Sequence, residues 1–546
     1  MPDTRGATLT GGWDTRVSRR TLLRTGGSLA AGAVLMGRTS PARGAPPFSA
    51  DRPFSLGVAS GDPTPDGFVL WTRLLPEGSA LDGSAMTQEP YGVRYEIAAD
   101  PDFRQIVRRG TQEALWEESH TVHAEIAGLP SDRWYWYRFK WGTAISDVGR
   151  ARTAPAVGAA VPSFRFAFTS CQNYAGGYYG ALGKLAEEDV DLVVHLGDYI
   201  YENVEPMPPY VQARLDEVEP YGECLSLSDY RTRYAFYKRD EHLQAAHRAH
   251  PWLSTWDDHE VFNNYAGLVM NAQTPLEDAK VRRAAAYLAY WEHQPLSRDR
   301  KPVDYNMEIF RRLRWGDLAT FHVIDTRQYR DDQVGPPQCL LADRDAASRY
   351  CNNQLDKTRQ LLGADQREWL YDGLAARPDD TAWHVLANQV GFAPENTGTA
   401  TSKRFGFDSW DGYVHERQQL LEHLATHRRT DLVVITGDKH VNSVRSVPPS
   451  YLSFDGAPVA TEFIGTSISS GGPRKTPPVE PDPLNPHHLW GDLHHGYVRV
   501  EATAEAWRSD FRVIDTVEQA ENTKVWTETS WQVTPDKPGA TQVTAV

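Results

Sequence analysis

The feature that most constrains the fold is a set of apolar runs, each ending in a residue type that binds metal ions. DLVVHLGD and DLVVITGD end in Asp198 and Asp438, and FRFAFTSC ends in Cys171. Short apolar runs bounded by turn residues predict buried strands. Because ligands bind beyond the carboxyl ends of strands in open α/β sheets, we expect these polar residues to lie near a common site.

Predicted helices separate further predicted strands in this part of the chain. The segment YYGALGKLAEED and the amphipathic stretches 227–249 and 277–293 are typical of helices. LATFHVIDT, WHVLANQV and ATEFIGTS predict strands, and the HHGYVRVEATAEAWRSDFRVIDT segment predicts a final hairpin. The AENTKVWTETSWQVTPDKPGATQV tail has no clear apolar period. The mixture predicts an α/β domain over residues 162–530.

Residues 50–155 have a different pattern. Short strand-like runs such as YGVRYEIAAD and WYWYRFKWG are separated by the turn sequences GDPTPDG and LPSDR. RYEIA and HAEIAGL alternate between apolar and polar residues, which places one face of each strand inward. We therefore predict a small all-β domain of the immunoglobulin or fibronectin type, joined to the next domain by RTAPAVGAAVP.

Residues 1–44 are typical of a targeting segment. Ser18, Arg19, Arg20, Thr21, Leu22 and Leu23 begin a twin-arginine signal, and a Gly/Ala-rich apolar stretch and SPARGA follow. The stretch is too short and too rich in glycine for a membrane span. We expect recognition by the twin-arginine export machinery, a secreted or cell-envelope protein, and no transmembrane anchor in the mature chain.

Charge and cysteine content add two expectations. The formal net charge of −15 gives no indication of a nucleic-acid-binding surface, so an anionic substrate would need local cations. Of the four cysteines, Cys339 and Cys351 bracket a short polar loop, and in an oxidising compartment we expect a disulfide between them. Cys171 and Cys224 have no obvious partner.

Several polar residues at or just after the predicted strand ends are candidate metal ligands or proton donors. They are Cys171, Asp198, Tyr201, Asp258, His259, Asn388, Asp438 and His440. A carboxylate beside a buried strand is costly unless cations or hydrogen-bond donors compensate it, so a shared cation site explains the set economically. Each Gly-Asp step alone also fits a turn in which the aspartate caps the next helix.

The ordered motifs SCQN, GDYIY, WDDHE, ANQ and GDKH resemble those of PhoD-like alkaline phosphatases, within the calcineurin-like metallophosphoesterases. GVASGDPTPDGFVLWTRL and GRARTAP resemble the β-rich N-terminal domain of that family. The resemblance extends from about Phe54 to about Thr516. It implies an α/β fold, with a metallophosphoesterase-type β-sandwich core flanked by helices and preceded by the small all-β domain.

The resemblance also implies a metal centre. It assigns Fe³⁺ to four ligands, and Ca²⁺ to a second set that shares the bridging aspartate. The iron ligands are Cys171, Asp198, Tyr201 and His440, and the calcium ligands are Asp198, Asp258, Asn388 and Asp438. Thiolate and phenolate suit Fe³⁺, whereas carboxylate and amide oxygens suit Ca²⁺. We expect Asp198 to bridge the metals and Asp438 not to bridge them.

Three residues have competing interpretations. Cys171 fits a metal ligand better than a nucleophile, because QNYAGGYYG supplies no arginine to close a phosphate loop; a buried core thiol is the other alternative. His259 is either a core histidine or a catalytic group that binds phosphate or protonates the leaving group. Arg327 either clamps phosphate or forms a surface or interdomain salt bridge. Asn263, Asn264 and residues 494–497 have equally open roles.

These features predict a secreted, metal-dependent phosphoesterase. We expect it to hydrolyse small phosphate monoesters by attack of metal-activated water or hydroxide, in the manner of an alkaline phosphatase. A phosphodiesterase or phospholipase-D-like activity is the alternative within the enzyme class. A non-catalytic secreted metal-binding module, with a closed coordination shell, is the alternative of another class.

Overall fold

The computed structural model describes residues 52–204, 211–333, 354–375, 381–399, 404–451, 454, 456–472 and 482–545. The expected twin-arginine segment and the expected Cys339–Cys351 disulfide lie outside these residues.

The described chain contains 22 strands, and all seven described α-helices lie between β9 and β15. The strands are β1 (Val58–Thr64), β2 (Gly67–Arg73), β3 (Tyr91–Ala98), β4 (Ile106–Ala114), β5 (Thr121–Ile126), β6 (Trp134–Trp141), β7 (Ala144–Ile145), β8 (Gly149–Arg152), β9 (Phe164–Thr169), β10 (Leu192–Leu196), β11 (Pro251–Thr255), β12 (Arg311–Trp315), β13 (Ala319–Val323), β14 (Trp383–Asn388), β15 (Leu432–Thr436), β16 (Asn442–Val447), β17 (Ala460–Ile464), β18 (His488–Asp492), β19 (Gly496–Ala502), β20 (Trp507–Ile514), β21 (Val525–Thr534) and β22 (Lys537–Val543). The α-helices are α1 (Gly180–Leu185), α2 (Gln212–Val218), α3 (Leu227–Tyr237), α4 (Glu241–Ala249), α5 (Leu276–His293), α6 (Ala364–Leu374) and α7 (Val414–Thr426).

Two large sheets form the centre of the molecule. A ten-stranded sheet has the order β22-β21-β20-β19-β9-β10-β11-β1-β2-β5, and a seven-stranded sheet has the order β12-β13-β14-β15-β17-β16-β18. Strands β9, β10 and β11 run parallel, as do β13, β14, β15 and β17. Each sheet therefore presents the carboxyl ends of several parallel strands at one edge.

The inner faces of these sheets pack against each other. Phe164 and Phe166 of β9 contact Phe321 of the second sheet, with ring centroids 5.9 and 5.1 Å apart. Side chains alternate along a strand, so Ala167, which lies between Phe166 and Phe168, belongs to a different apolar cluster on the opposite face. Burying one such aromatic side chain stabilises the fold by about 1.5–3 kcal/mol.

Helices cover the outer faces. Residues of α1 to α5 pack with Ala167 and Val193 on the ten-stranded sheet, whereas residues of α6 and α7 pack with Leu386 and Val434 on the other. The result is a β-sandwich flanked by helices, which confirms the predicted fold class.

The N-terminal region forms a second, smaller sandwich. Strands β3, β4, β6, β7 and β8 make a separate five-stranded sheet. Its Val93 and Ile97 pack against Phe68 and Leu70 of β2, and β2 belongs to the ten-stranded sheet. Strand β1 also pairs in parallel with β11 of the core. One of the two sheets of the small sandwich is thus part of the ten-stranded sheet. The domain boundaries stay a prediction.

One segment differs from its predicted structure, and others carried no prediction. Residues 227–249 form two helices, because the Asp240 side chain caps α4 by accepting the N–H groups of His242 and Leu243. The C-terminal tail forms the hairpin of β21 and β22, and β4 was not predicted.

Among the described helices, none is long and apolar enough to cross a membrane.

Candidate metal centre

The ends of parallel strands from both large sheets meet at one place. The N–H of Cys171, just after β9, donates to Gly197 O after β10 at 3.1 Å, and Gln172 N–H donates to Asp198 O at 3.0 Å. From the second sheet, Gly437 follows β15 and lies against Ser170. The edges of the two sheets therefore form the floor of one site.

Both glycines of the Gly-Asp steps are required by close contacts. Gly197 has a φ of +108°, and a Cβ there would lie 2.4 Å from the backbone nitrogen of Asp257. A Cβ on Gly437 would lie 2.8 Å from Ser170 Oγ. The glycines allow the strand ends to approach one another closely enough for the following aspartates to share a site.

Four of the predicted ligands adopt left-handed backbone conformations. The φ angles are 58° for Cys171, 57° for Asp198, 60° for Asp438 and 52° for His440. Such conformations cost of order 1–3 kcal/mol each in non-glycine residues, and they cluster at functional sites. The strain is an indication of function that does not depend on side-chain chemistry.

The structure brings the four predicted iron ligands together. Ligand atoms of Cys171, Asp198 and His440 all lie within 4.8 Å of one another. The Tyr201 hydroxyl lies 3.1 Å from Asp198 Oδ2 and 3.2 Å from His440 Nε2. The group comprises a thiol, a carboxylate, a phenol and an imidazole.

A second group adjoins the first. Ligand atoms of Asp198, Asp258 and His259 also lie within 4.8 Å of one another, so Asp198 belongs to both groups. Asp258 accepts the backbone N–H of Asn264 at 2.6 Å. With its side-chain amide oriented to donate, Asn264 also reaches Asp258 Oδ2 and Asp408 Oδ2, both at 3.1 Å. The position of Asp198 is the one that a bridging ligand would need.

The remaining two predicted ligands lie nearby, outside these groups. Asn388, at the end of β14, accepts from Trp410 Nε1 at 3.0 Å and donates to Thr436 Oγ1 at 3.1 Å. Asp438 Oδ1 is 3.8 Å from Arg327 Nη2. Their roles as calcium ligands stay predictions.

The electrostatics of the first group fit a bound cation. Burial, and then the Asp198 carboxylate, raise the pKa of Cys171 and of Tyr201 well above their usual values. Burial and then Asp258 do the same to the pKa of Asp198. Burial also lowers the pKa of His440 to about 4, which favours the neutral, ligating imidazole. A cation would offset this crowding of buried acidic groups, and the donor types suit a metal such as Fe³⁺.

Cys171 does not have the environment of a nucleophile. Its Sγ contacts Ser170 Oγ at 3.2 Å, and the raised pKa opposes thiolate formation without a cation. Cys224 is also buried and unpaired, and burial raises its pKa to about 12.

Arg327 is fully buried among carboxylates. It donates to Asp257 at 2.5 and 3.1 Å and to Asp408 at 2.7 and 3.1 Å. Its Nη2 is 3.7 Å from Asp258. Every guanidinium nitrogen therefore already donates to a carboxylate. This geometry favours a salt bridge over phosphate clamping, and the salt bridge is buried and not at the surface. Phosphate clamping by Arg327 stays the untested alternative.

His259 is oriented by a residue that the sequence analysis missed. Its Nδ1 lies 2.7 Å from Glu202 Oε2, and its ring stacks on Tyr201 with centroids 4.0 Å apart. Burial lowers the pKa of His259, but Glu202, Asp258 and Asp198 more than compensate and raise it well above its usual value. Glu202 also accepts the Asn263 backbone N–H at 2.8 Å.

Residues of the 494–497 segment lie partly beside the site and partly in the apolar core. His495 Nε2 donates to Ser470 O at 2.9 Å, next to the predicted ligands. Tyr497 instead donates to Glu188 at 2.7 Å and packs in the helix-covered core. The sequence analysis also missed Asp408, since its loop lacks the preceding apolar run that marks the ligands.

Comparison with known proteins gives the same interpretation over nearly the whole chain. The family model for PhoD-like phosphatase matches residues 166–511, and that for the PhoD-like phosphatase N-terminal domain matches residues 39–155. Alkaline phosphatase D of Bacillus subtilis (strain 168) is 40% identical over 506 residues, covering 92% of this chain and 84% of that protein. A solved structure of PhoD superposes with a TM-score of 0.83 at 38% identity, covering 92% of this chain and 94% of that one.

The chain belongs to the PhoD-like phosphatase family, and it is a hydrolase of phosphoric ester bonds.

Proposed function

We propose that the protein is an exported alkaline phosphatase that hydrolyses small phosphate monoesters at a centre of Fe³⁺ and Ca²⁺. The convergence of Cys171, Asp198, Tyr201 and His440 carries this proposal, because a thiolate, a carboxylate, a phenolate and an imidazole together suit Fe³⁺. Similarity to alkaline phosphatase D supports the monoester substrate class.

Asp198 would bridge the iron and a calcium ion. Asp258, Asn388 and Asp438 would complete the calcium ligands, and Asp438 would not bridge. When bound, such ions supply Lewis acidity, which raises the acidity of water and offsets negative charge on a phosphoryl group. Because the whole chain carries a net charge of −15, this local positive charge is also what would attract an anionic ester.

His259 would supply the proton for the leaving alkoxide. Its Nδ1 faces the Glu202 carboxylate at 2.7 Å, so Nδ1 carries a hydrogen and Nε2 remains for exchange with the substrate. The stacked Tyr201 ring fixes the plane of the imidazole. Arg327 would act through Asp257 and Asp408 by holding the aspartates around the site in place.

Export would follow the twin-arginine route, with the mature protein secreted or held in the cell envelope. The sequence around Arg19 and Arg20 and the small residues of SPARGA support this location. Export of an already folded protein would suit an enzyme that acquires its metals before it crosses the membrane.

One experiment tests the metal assignment. Elemental analysis of the purified protein should find iron and calcium, and phenolate or thiolate bound to Fe³⁺ should give a visible charge-transfer band. Chelation should abolish phosphatase activity, and iron with calcium should restore it. Tyr201→Phe serves as the matched variant and should remove the phenolate contribution to the band. A colourless, iron-free protein that is fully active without calcium would disprove the assignment.

A further inference from the structure

The serine-rich segment 467–472 lies directly behind the predicted iron ligands. Ser470 is fully buried, and its Oγ lies 2.7 Å from the Tyr201 hydroxyl and 2.7 Å from the Cys171 carbonyl. The same oxygen accepts the Asn173 backbone N–H at 3.1 Å. One hydroxyl therefore contacts two of the four predicted ligands.

The next residue fixes a third ligand. His440 Nδ1 lies 2.6 Å from the Gly471 carbonyl oxygen, which can only accept, so Nδ1 carries the hydrogen. Neutral imidazole then has a lone pair, and no hydrogen, at Nε2. This Nε2 is the atom that lies 3.2 Å from the Tyr201 oxygen.

Counting hydrogens identifies the donor available to Tyr201. As a metal ligand the phenol has lost its hydrogen, and its oxygen can only accept hydrogen bonds. In the described part of the chain, that oxygen contacts Asp198, His440 and Ser470. The carboxylate has no hydrogen, and His440 Nε2 presents a lone pair. Ser470 is the remaining group of the three that can donate.

We propose that Ser470 is a positioning residue that donates its hydroxyl hydrogen to the ligating oxygen of Tyr201, and so orients and tunes this ligand. The Cys171 carbonyl does not depend on that hydrogen, since it also accepts the Ser470 backbone N–H at 3.3 Å. The inference rests on the proposed function, because it requires Tyr201 to be an iron ligand. Groups that orient metal ligands commonly affect metal affinity strongly.

The experiment compares two neighbouring serines in iron-loaded protein. Ser470→Ala removes the donor, which raises the energy of the phenolate lone pair, so the charge-transfer band should move to longer wavelength. Iron affinity should fall about 10- to 100-fold, as for other residues that orient metal ligands. Ser470→Thr keeps the hydroxyl and should restore the wild-type band.

Ser469→Ala is the matched control. Ser469 is equally buried, but its hydroxyl donates to the Asn173 carbonyl at 2.7 Å, away from Tyr201. This variant should lose a similar amount of thermal stability and keep the wild-type band and iron affinity. A similar shift in both alanine variants would overturn the proposal, as would no shift in Ser470→Ala.

Two further measurements complete the test. If Ser470→Ala does not fold, the resonance Raman C–O stretch of the tyrosinate in wild-type protein should shift on transfer to D₂O, and an unchanged stretch would overturn the proposal. If wild-type protein binds iron without a tyrosinate band, the assignment of Tyr201 fails, and the proposal for Ser470 fails with it. If the wild-type protein shows the tyrosinate band but the Ser470 variants leave it unchanged, only the proposal for Ser470 is refuted and the assignment of Tyr201 stands.

Discussion

Replacing Glu202 by glutamine tests whether His259 acts as a proton donor. The buried carboxylate accepts from His259 Nδ1 at 2.7 Å and from the Asn263 N–H at 2.8 Å. Glutamine has nearly the same shape but only one accepting oxygen, so its NH₂ group must face one of these two donors. The substitution removes the charge that orients and stabilises a protonated imidazole.

The magnitude follows from the hydrogen bond that is lost. A hydrogen bond to a charged group contributes about 1.5–3 kcal/mol. If that interaction strengthens as the proton is positioned for transfer, its loss lowers kcat about ten- to hundredfold, at roughly 1.4 kcal/mol per factor of ten. The loss should be larger for an alkyl phosphate than for a nitrophenyl phosphate, because an alkoxide needs protonation more than a nitrophenolate does.

The assay is a double-mutant cycle on both substrates. Glu202→Gln, His259→Gln and the double variant should have similar kcat values on the alkyl ester, because Glu202 acts through His259. Glu416→Gln is the control: Glu416 is also buried and accepts backbone N–H groups, those of Leu361 and Leu362, and its variant should keep wild-type kcat. Additive losses in the double variant, or equal losses on both esters, would refute this reasoning.

Four further predictions follow from the site, the core and the signal segment. A nitrophenyl phosphate should be turned over faster than its bis-aryl ester in steady-state assays, and a large preference for the diester would contradict the monoesterase assignment. Arg327→Lys should lower Tm in calorimetry and leave the Ki of inorganic phosphate unchanged, whereas a phosphate-clamping arginine would raise that Ki. Burial lowers the pKa of His123 and of His250 to about 4 from an ordinary value of 6.5, so the unfolded chain binds more protons between these values. Stability should therefore decline as pH falls from 6.5 towards 4, by up to about 1.4 kcal/mol per pH unit for each histidine. His123→Gln should give a shallower dependence of Tm on pH, and an unchanged slope would contradict the stated cause. Replacing Arg19 and Arg20 together by lysine should leave active protein in the cytoplasmic fraction, and undiminished export would exclude the twin-arginine route.

The sequence predicts the position of a site residue where a local pattern marks that position. Asp198 and Asp438 each follow an apolar run and a glycine, so their position at the end of a buried strand could be predicted. The break between α3 and α4 was not predicted, although Asp240 followed by Glu241 is a helix-start signal within the longer amphipathic stretch.

Contacts between distant segments could not be predicted in the same way. Glu202 and His259 are 57 positions apart, and Arg327 and Asp408 are 81 apart, and no local periodicity links either pair. Likewise β4 is mostly exposed, so it lacks the alternation of apolar residues by which its neighbours were recognised. Ser470 lies in a loop whose importance depends on what folds against it.

The order of the ten-stranded sheet has a consequence for the timing of folding. Strand β9 pairs with β10 on one side and on the other with β19, where Phe168 lies opposite Val498. The pairing of β9 with β19 therefore cannot form until residues more than 300 positions later in the chain have been made. Pairings between such distant segments form slowly. During synthesis the chain can assemble its small N-terminal sheet, but neither His440 nor Ser470 has yet emerged. The predicted iron site would then be completed late, after nearly the whole polypeptide has left the ribosome.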